Sequence, residues 1–118
     1  MTSKAPALAG QWNLSEWVVN RTNGRRCEAN GVLSLKQAGS EVVGRADAED
    51  PCSNREDDAA IAQGRMDGRN VAFTSGDCDY RGTVVGEPAV QMQGNVRCRV
   101  KTRSGEQVLS GAWRASRN

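Results

Sequence analysis

The stretch Val90-Gln91-Met92-Gln93-Gly94-Asn95-Val96-Arg97-Cys98-Arg99-Val100 alternates without a break. Val90, Met92, Gly94, Val96, Cys98 and Val100 take one parity. Gln91, Gln93, Asn95, Arg97 and Arg99 take the other. A period of two belongs to an extended chain with one face buried and the other wetted. The stretch therefore predicts a long half-buried strand in the wall of an antiparallel barrel or sandwich.

Its upstream neighbour provides a test of register. A loop over 87–89 sets Gly86 opposite Val90, and then Val84 opposite Met92, Gly82 opposite Gly94, Tyr80 opposite Val96 and Cys78 opposite Cys98. A single register gathers the apolar residues on one face and brings two cysteines together across one pair. A hairpin closed by a Cys78–Cys98 disulfide is the expectation. Further out, strands are expected over 10–19, 31–37, 40–46, 60–67, 70–75, 78–86, 90–100 and 107–116. A tight turn at Ala38-Gly39 opposes Leu35 to Val42 and Leu33 to Gly44. A link through Ser104-Gly105 opposes Cys98 to Gly111 and Val96 to Trp113.

Short links favour antiparallel neighbours, and closing the meander removes both exposed edges. The expected fold is all-β: an eight-stranded antiparallel up-and-down barrel over 10–118, preceded by a flexible tail over 1–9. Glycine recurs on the inward face, at Gly44, Gly64, Gly82, Gly94 and Gly111. The recurrence predicts strands bent round a small barrel, with room for Trp12, Phe73 and Trp113.

The composition narrows the function. The chain has 118 residues and a net charge of +2, which argues against a dedicated nucleic-acid binder. It contains no histidine, and so lacks the commonest general base and the commonest metal ligand. No Gly-x-Ser-x-Gly elbow, P-loop or dinucleotide fingerprint occurs, so neither catalysis nor a cofactor is expected. No apolar run is long enough to cross a bilayer as a helix. Cys27, Cys52, Cys78 and Cys98 are too widely spaced for a metal knuckle. Their even number in a small β-rich chain predicts two disulfides and an oxidising compartment. Four cysteines allow three pairings; placing Cys27 and Cys52 at one end of the meander makes a Cys27–Cys52 bridge the natural complement to Cys78–Cys98. Met1-Thr2-Ser3-Lys4 precedes a small-residue segment and has no leader character. The expectation is a mature secreted or periplasmic domain, whose precursor carried an export signal or a lipid anchor.

Gly10-Gln11-Trp12 on the first strand, with Trp113 and Arg114 or Arg117 on the last, resembles the Gly-x-Trp and closing-arginine signature of the calycins, the lipocalin and avidin superfamily. Leu33-Ser34-Leu35-Lys36-Gln37, Gly68 with Val71 and Phe73, Tyr80-Arg81-Gly82, and Gly111-Ala112-Trp113-Arg114-Ala115-Ser116-Arg117 resemble exported bacterial lipocalin-like domains with no settled activity. The resemblance covers nearly the whole chain. It implies a tryptophan plugging one barrel end with an arginine across it. The polar ligand set of the biotin binders is not found at the inward positions. Separately, Ala7-Leu8-Ala9-Gly10-Gln11-Trp12-Asn13-Leu14-Ser15 is similar to the start of bacterial inhibitors of secreted zinc proteases, which implies a tail that enters a protease cleft.

The inward positions, Val90, Val100 and Leu109 among them, are almost wholly apolar. Two readings follow: a filled core, or a cavity for an apolar ligand such as an acyl chain, in the space left by Gly82 opposite Gly94. In the second reading Trp12, Leu35, Phe73, Tyr80, Met92 and Trp113 line the ligand site. The segment from Asp47 to Asp58 reads as a solvated acidic loop without calcium-hand spacing. Arg97, Arg99, Lys101 and Arg103 read as an outward, solubilising ladder. Continuous alternation from Trp12 turns Glu16 inward and Trp17 outward, whereas a bulge near Ser15 reverses both. The functional expectations are a carrier or sensor of a small apolar ligand, a protein-interaction module acting through its tail and open-end loops, or a structural assembly subunit. Ligand, protein partner and oligomeric state are not specified by the sequence.

Overall fold

Eight strands in chain order close into one antiparallel barrel in the computed structural model, which describes residues 7–50, 55–86, 89–103 and 105–117. They are β1 (Gly10–Asn20), β2 (Arg26–Ala38), β3 (Glu41–Asp50), β4 (Arg55–Asp67), β5 (Asn70–Ser75), β6 (Cys78–Val85), β7 (Gln91–Thr102) and β8 (Gly105–Ser116). Each pairs with the next, and β8 returns to β1, so the expected up-and-down barrel is the fold.

The β6–β7 hairpin has the expected register, from Val84 opposite Met92 to Cys78 opposite Cys98. Those two cysteines form a disulfide. Cys27 is also disulfide-bonded; Cys52, its expected partner, lies outside the described residues. With 20 residues separating Cys78 from Cys98, replacing both by serine is expected to lower stability by about 3 kcal/mol, through the loop entropy restored to the unfolded chain. Denaturant titration of the double variant measures this, and an unchanged midpoint would contradict it.

Four expectations need correction. The β2–β3 and β7–β8 registers each differ by two residues from those read in the sequence. Gln37 faces Val42 and Leu35 faces Gly44, while Gly94 faces Trp113 and Val96 faces Gly111. The first turn sits one residue later, with Ala38 opposite Glu41 and Gly39 at φ 62°, a conformation suited to a two-residue hairpin loop. A shift of two leaves every side chain on its face, so the interior is preserved. Second, Val90 is not inward: it is 49% exposed. Gly86 turns at φ 95° after β6, Val90 N–H donates to the Val85 carbonyl, and the Val90 carbonyl accepts from Arg117 N–H. The chain has left the ladder there, and Ala89 is buried in its place.

Third, the acidic segment is largely strand. Asp47 pairs with Asp58 and Glu49 with Glu56, up to Asp50 opposite Arg55. Backbone pairing with β4 runs from Glu41 through Asp50. Fourth, Leu8, assigned to the tail, is fully buried, and its N–H donates to Gln37 Oε1 at 2.7 Å.

Among the described residues, β4 contains an irregularity that reverses parity. The ladders shift between Ala62 and Arg65 on one side and between Val42 and Gly44 on the other. Gln63 adopts φ 54° at this bulge, rare for a residue with a Cβ. Both Ile61 and Met66 are thereby buried although they lie on opposite parities.

The end carrying both termini is plugged. Trp12 is fully buried, and its indole N–H donates to the Leu8 carbonyl at 2.9 Å. The Arg117 guanidinium lies 4.2 Å from the centre of the Trp12 ring, a favourable cation–π distance. It donates to the carbonyls of Ala89, Ala9 and Ala7. Of the two candidate arginines, Arg117 crosses the tryptophan and Arg114 is exposed. Near this end Leu33, Val42, Val84 and Met92 are all closed to solvent.

Candidate functional site

β1 places alternate residues in the lumen as it runs from the plug toward the far end, where residues 21–25 and 76–77 connect the strands. Trp12 and Leu14 are buried, and so are Glu16, Val18 and Asn20. No bulge interrupts the ladder, since Ser15 pairs with Asn30, Glu16 with Ala29 and Trp17 with Glu28 in unbroken sequence. The inward carboxylate is real, and Trp17 is outward at 42% exposure.

Accessibility is graded along the lumen. Trp12, Leu33 and Met92 on the plug side are 0% exposed. Glu16 and Ser75 are 8% exposed, Val18 7%, and Ala29 and Ile61 6%. Slight contact with solvent thus persists at these residues, while Trp113 at 1% and Val96 at 2% are closed and Met66, by the β4–β5 turn, keeps 6%. Ala29 and Gly111, opposite Glu16 and Val18 of β1, are among its small inward positions.

The floor of this region is aromatic. Phe73 stacks on Tyr80 with ring centres 4.8 Å apart. Trp113 meets both edge-on, at 5.6 Å from Phe73 and 5.7 Å from Tyr80. Such offset and T-shaped contacts satisfy the ring quadrupoles. The indole N–H of Trp113 donates to the Arg81 carbonyl at 3.1 Å. The Tyr80 hydroxyl donates to the Glu16 carboxylate. At the upper rim Asn20 Nδ2 donates to Gln107 Oε1 at 2.9 Å, and the Thr22 N–H donates to Asn20 Oδ1. Among the described residues, no buried side-chain nitrogen or oxygen lacks a hydrogen-bond partner, as a stable polar interior requires.

The six residues expected to line a ligand site separate into two groups. Trp12, Leu35 and Met92 belong to the filled half. Phe73, Tyr80 and Trp113 pack on one another farther along the lumen. Gly82 opposite Gly94 leaves no vacant space, because a Cβ on Gly82 would lie 2.7 Å from the Trp113 ring. Sequence reasoning missed Val18, Ala29, Ile61 and Ser75 as lumen residues. The inward alternation of β1, extended past Glu16, was the available signal for Val18.

The outer wall offers less. A groove of about 630 Å³ borders the β4 bulge, between Glu41, Gln63, Arg65, Thr74, Asp79 and Arg81. Its charges alternate in sign and select no ligand class. The exposed ladder Arg97, Arg99, Lys101 faces Asp79 on β6 and Glu106 on β8 in its cross-strand pairs, so it is partly offset. Trp17, Val32, Val43, Val85 and Val90 are exposed, yet no two are cross-strand partners. Val85 and Val90 adjoin through the Val90 N–H to Val85 carbonyl bond, and so small an exposed apolar group is ordinary on a protein surface. No family model, curated protein or solved structure matches the chain.

Proposed function

We propose that this protein is a non-catalytic binding protein, a calycin-like barrel of an oxidising, extracytoplasmic compartment, that takes a small, largely apolar ligand into the far half of its lumen. The observation that carries this reading is the gradient of accessibility. Trp12, Leu33 and Met92 close the plug end completely, whereas toward the far end Glu16 keeps 8% exposure, Val18 7% and Ala29 6%. A concave, mostly apolar site with a few placed polar groups is the usual form of a small-molecule pocket. Val18, Ala29 and Ile61 would contact the body of the ligand, and Phe73, Tyr80 and Trp113 would set its depth. The Cys78–Cys98 bridge supports the assignment of compartment. The segment with which an inhibitor's tail would enter a protease is engaged by its own barrel at Leu8, so nothing favours that alternative.

The test is titration with the apolar fluorophore N-phenyl-1-naphthylamine. Saturable enhancement is expected, with amide shift changes at Ala29, Ile61 and Ser75. Ala29→Phe, which fills the lumen, is expected to weaken binding by about tenfold or more, equivalent to ~1.4 kcal/mol. Absence of saturable binding, or shifts confined to the outer residues Val32 and Val43, would overturn the reading.

A further inference from the structure

We infer that the protein associates with further copies of itself, the basic β7–β8 hairpin of one molecule docking on the acidic β3–β4 hairpin of the next. The contact is independent of what the lumen holds. Charge is segregated along the chain in a way that its net value of +2 conceals. Between Asp47 and Asp58 the sequence carries six carboxylates against Arg55. From Arg97 to Arg103 every second residue is basic. The first run occupies the paired ends of β3 and β4, and the second occupies β7 and the turn after it. In the closed order of strands these two hairpins are separated by β5 and β6 on one side and by β1 and β2 on the other. They stand on opposite walls with the barrel between them, so the two runs meet only between molecules.

Neither run is balanced by its cross-strand neighbours. Asp47 is opposite Asp58 and Glu49 opposite Glu56, while the β2 positions beside Asp47 and Glu49 are Val32 and Asn30. Like charges directly opposite destabilise a sheet. On β7, Asp79 and Glu106 stand opposite Arg97 and Lys101, but Arg99 faces Val108. The end of β1 adds a further cation. The Arg21 N–H donates to the Val108 carbonyl, and Arg21 Nε donates to Ser110 Oγ at 2.8 Å. Ser110 is the cross-strand partner of Arg97, so the serine holds the Arg21 guanidinium beside the ladder. Arg21, Arg97, Arg99, Lys101 and Arg103 are all exposed. A surface that is only solubilising intersperses both signs; this one gathers cations. Its occupant must be anionic, and the chain supplies one of matching form. Asp47 and Glu49, like Glu56 and Asp58, repeat at the same two-residue interval as the basic ladder, about 7 Å along an extended strand. The small net charge leaves little repulsion between whole molecules to oppose the contact. Because the two surfaces differ, the interface is heterologous, and each molecule in a pair keeps one surface of each kind for the next.

Sedimentation velocity of the full chain tests this. At ~0.01 M salt, where the Debye length is about 30 Å, association is expected to grow with protein concentration, and at ~1 M salt it should weaken by about tenfold or more. Two double variants locate the contact. Arg99→Glu with Arg103→Glu removes the basic surface; Arg99 faces Val108 and Arg103 lies in the turn, so neither change sets two carboxylates opposite one another in the ladder. Asp47→Lys with Glu49→Lys removes the acidic surface and turns two like-charge pairs into opposite ones, which favours the fold. Each variant alone should stay monomeric at low salt. Mixed, they should form a one-to-one complex that grows no further, because a single complementary pair of surfaces remains. A native protein still monomeric at low salt and about 1 mM overturns the inference, as does association that either variant retains or that high salt leaves unchanged. Association that requires added heparin or calcium assigns the charged hairpins to another partner and overturns it equally.

Discussion

Trp113→Ala is expected to lower the unfolding free energy by about 3–5 kcal/mol, the range for removing a large buried aromatic. Trp113 is 1% exposed. It lies where two inward glycines, Gly82 and Gly94, leave the wall thin, with its ring 2.7 Å from the position a Cβ on Gly82 would take. No neighbouring side chain at those glycines can move in to refill the volume. Truncation also removes two edge-on contacts, each worth about 0.5–1.5 kcal/mol beyond area burial, and the donor to the Arg81 carbonyl. Set against a total stability of roughly 5–15 kcal/mol for a domain, the loss brings the protein close to unfolding. Urea titration measures it, and near-UV dichroism should weaken as the aromatic cluster loses its centre. Apolar cavities accept small aromatic guests, so millimolar indole should recover part of the lost midpoint. A loss below about 1 kcal/mol would mean that the cluster is not the keystone of the lumen.

The extent to which the fold was legible follows from where side-chain parity was unambiguous. In β6 and β7 one register satisfied the apolar residues and both cysteines together, and the structure has that register. In β4 parity misled. Continued without interruption, the inward phase of Gly64 includes Met66 and leaves Ile61 outside it. The extra residue at Ala62–Gln63 reverses the phase, and no residue there is one that turns prefer; Gln63 adopts positive φ without being glycine. At β3 the misreading was chemical: Ala46 and Ala48 are too small to register as an apolar stripe between acidic residues. The turn positions at Gly39 and Gly105 were ambiguous by one residue, and so the pairing by two, a slip that parity does not detect.

The candidate site was legible in direction but not in height. Trp12, Leu35 and Met92 point into the barrel as the pattern requires. How far each lies from the plug depends on the stagger between strands, which is a property of the closed barrel and not of any one strand. Leu8 could not be placed either, because it plugs the end through Gln37 and Trp12 with no periodicity of its own. Glu16 exposed a conflict between two rules, alternation and the exclusion of charge from cores. Alternation prevailed because Tyr80, distant in sequence, supplies a hydroxyl to the carboxylate. Such conflicts concentrate where a fold serves something besides stability, and Glu16 is buried between Leu14 and Val18 on β1.

Gly111→Ala is expected to be the most disruptive single-methyl change, destabilising by about 3 kcal/mol or more, at or beyond the usual range for overpacking. The backbone at Gly111 is not in the positive-φ region, so conformational freedom is not what requires glycine there. Space is. A Cβ would lie 1.7 Å from the Trp17 carbonyl oxygen and 2.8 Å from the Val18 Cα. Both obstacles are main chain, so no rotamer change relieves them, and β1 and β8 must separate. That seam, with Val18 opposite Gly111, is the one that converts the meander into a barrel. Opening it exposes two strand edges at once and the floor beneath them. Gly39→Ala is the matched control, since nothing lies within 4 Å of its Cβ position although φ is +62°. There the cost is one residue's left-handed conformation, about 1–2 kcal/mol. Denaturant titration of the two variants separates steric closure from backbone conformation, and hydrogen exchange should quicken at Val18 and Ser110 only in Gly111→Ala. A cost at Gly111 no larger than that at Gly39 would show that the seam tolerates separation.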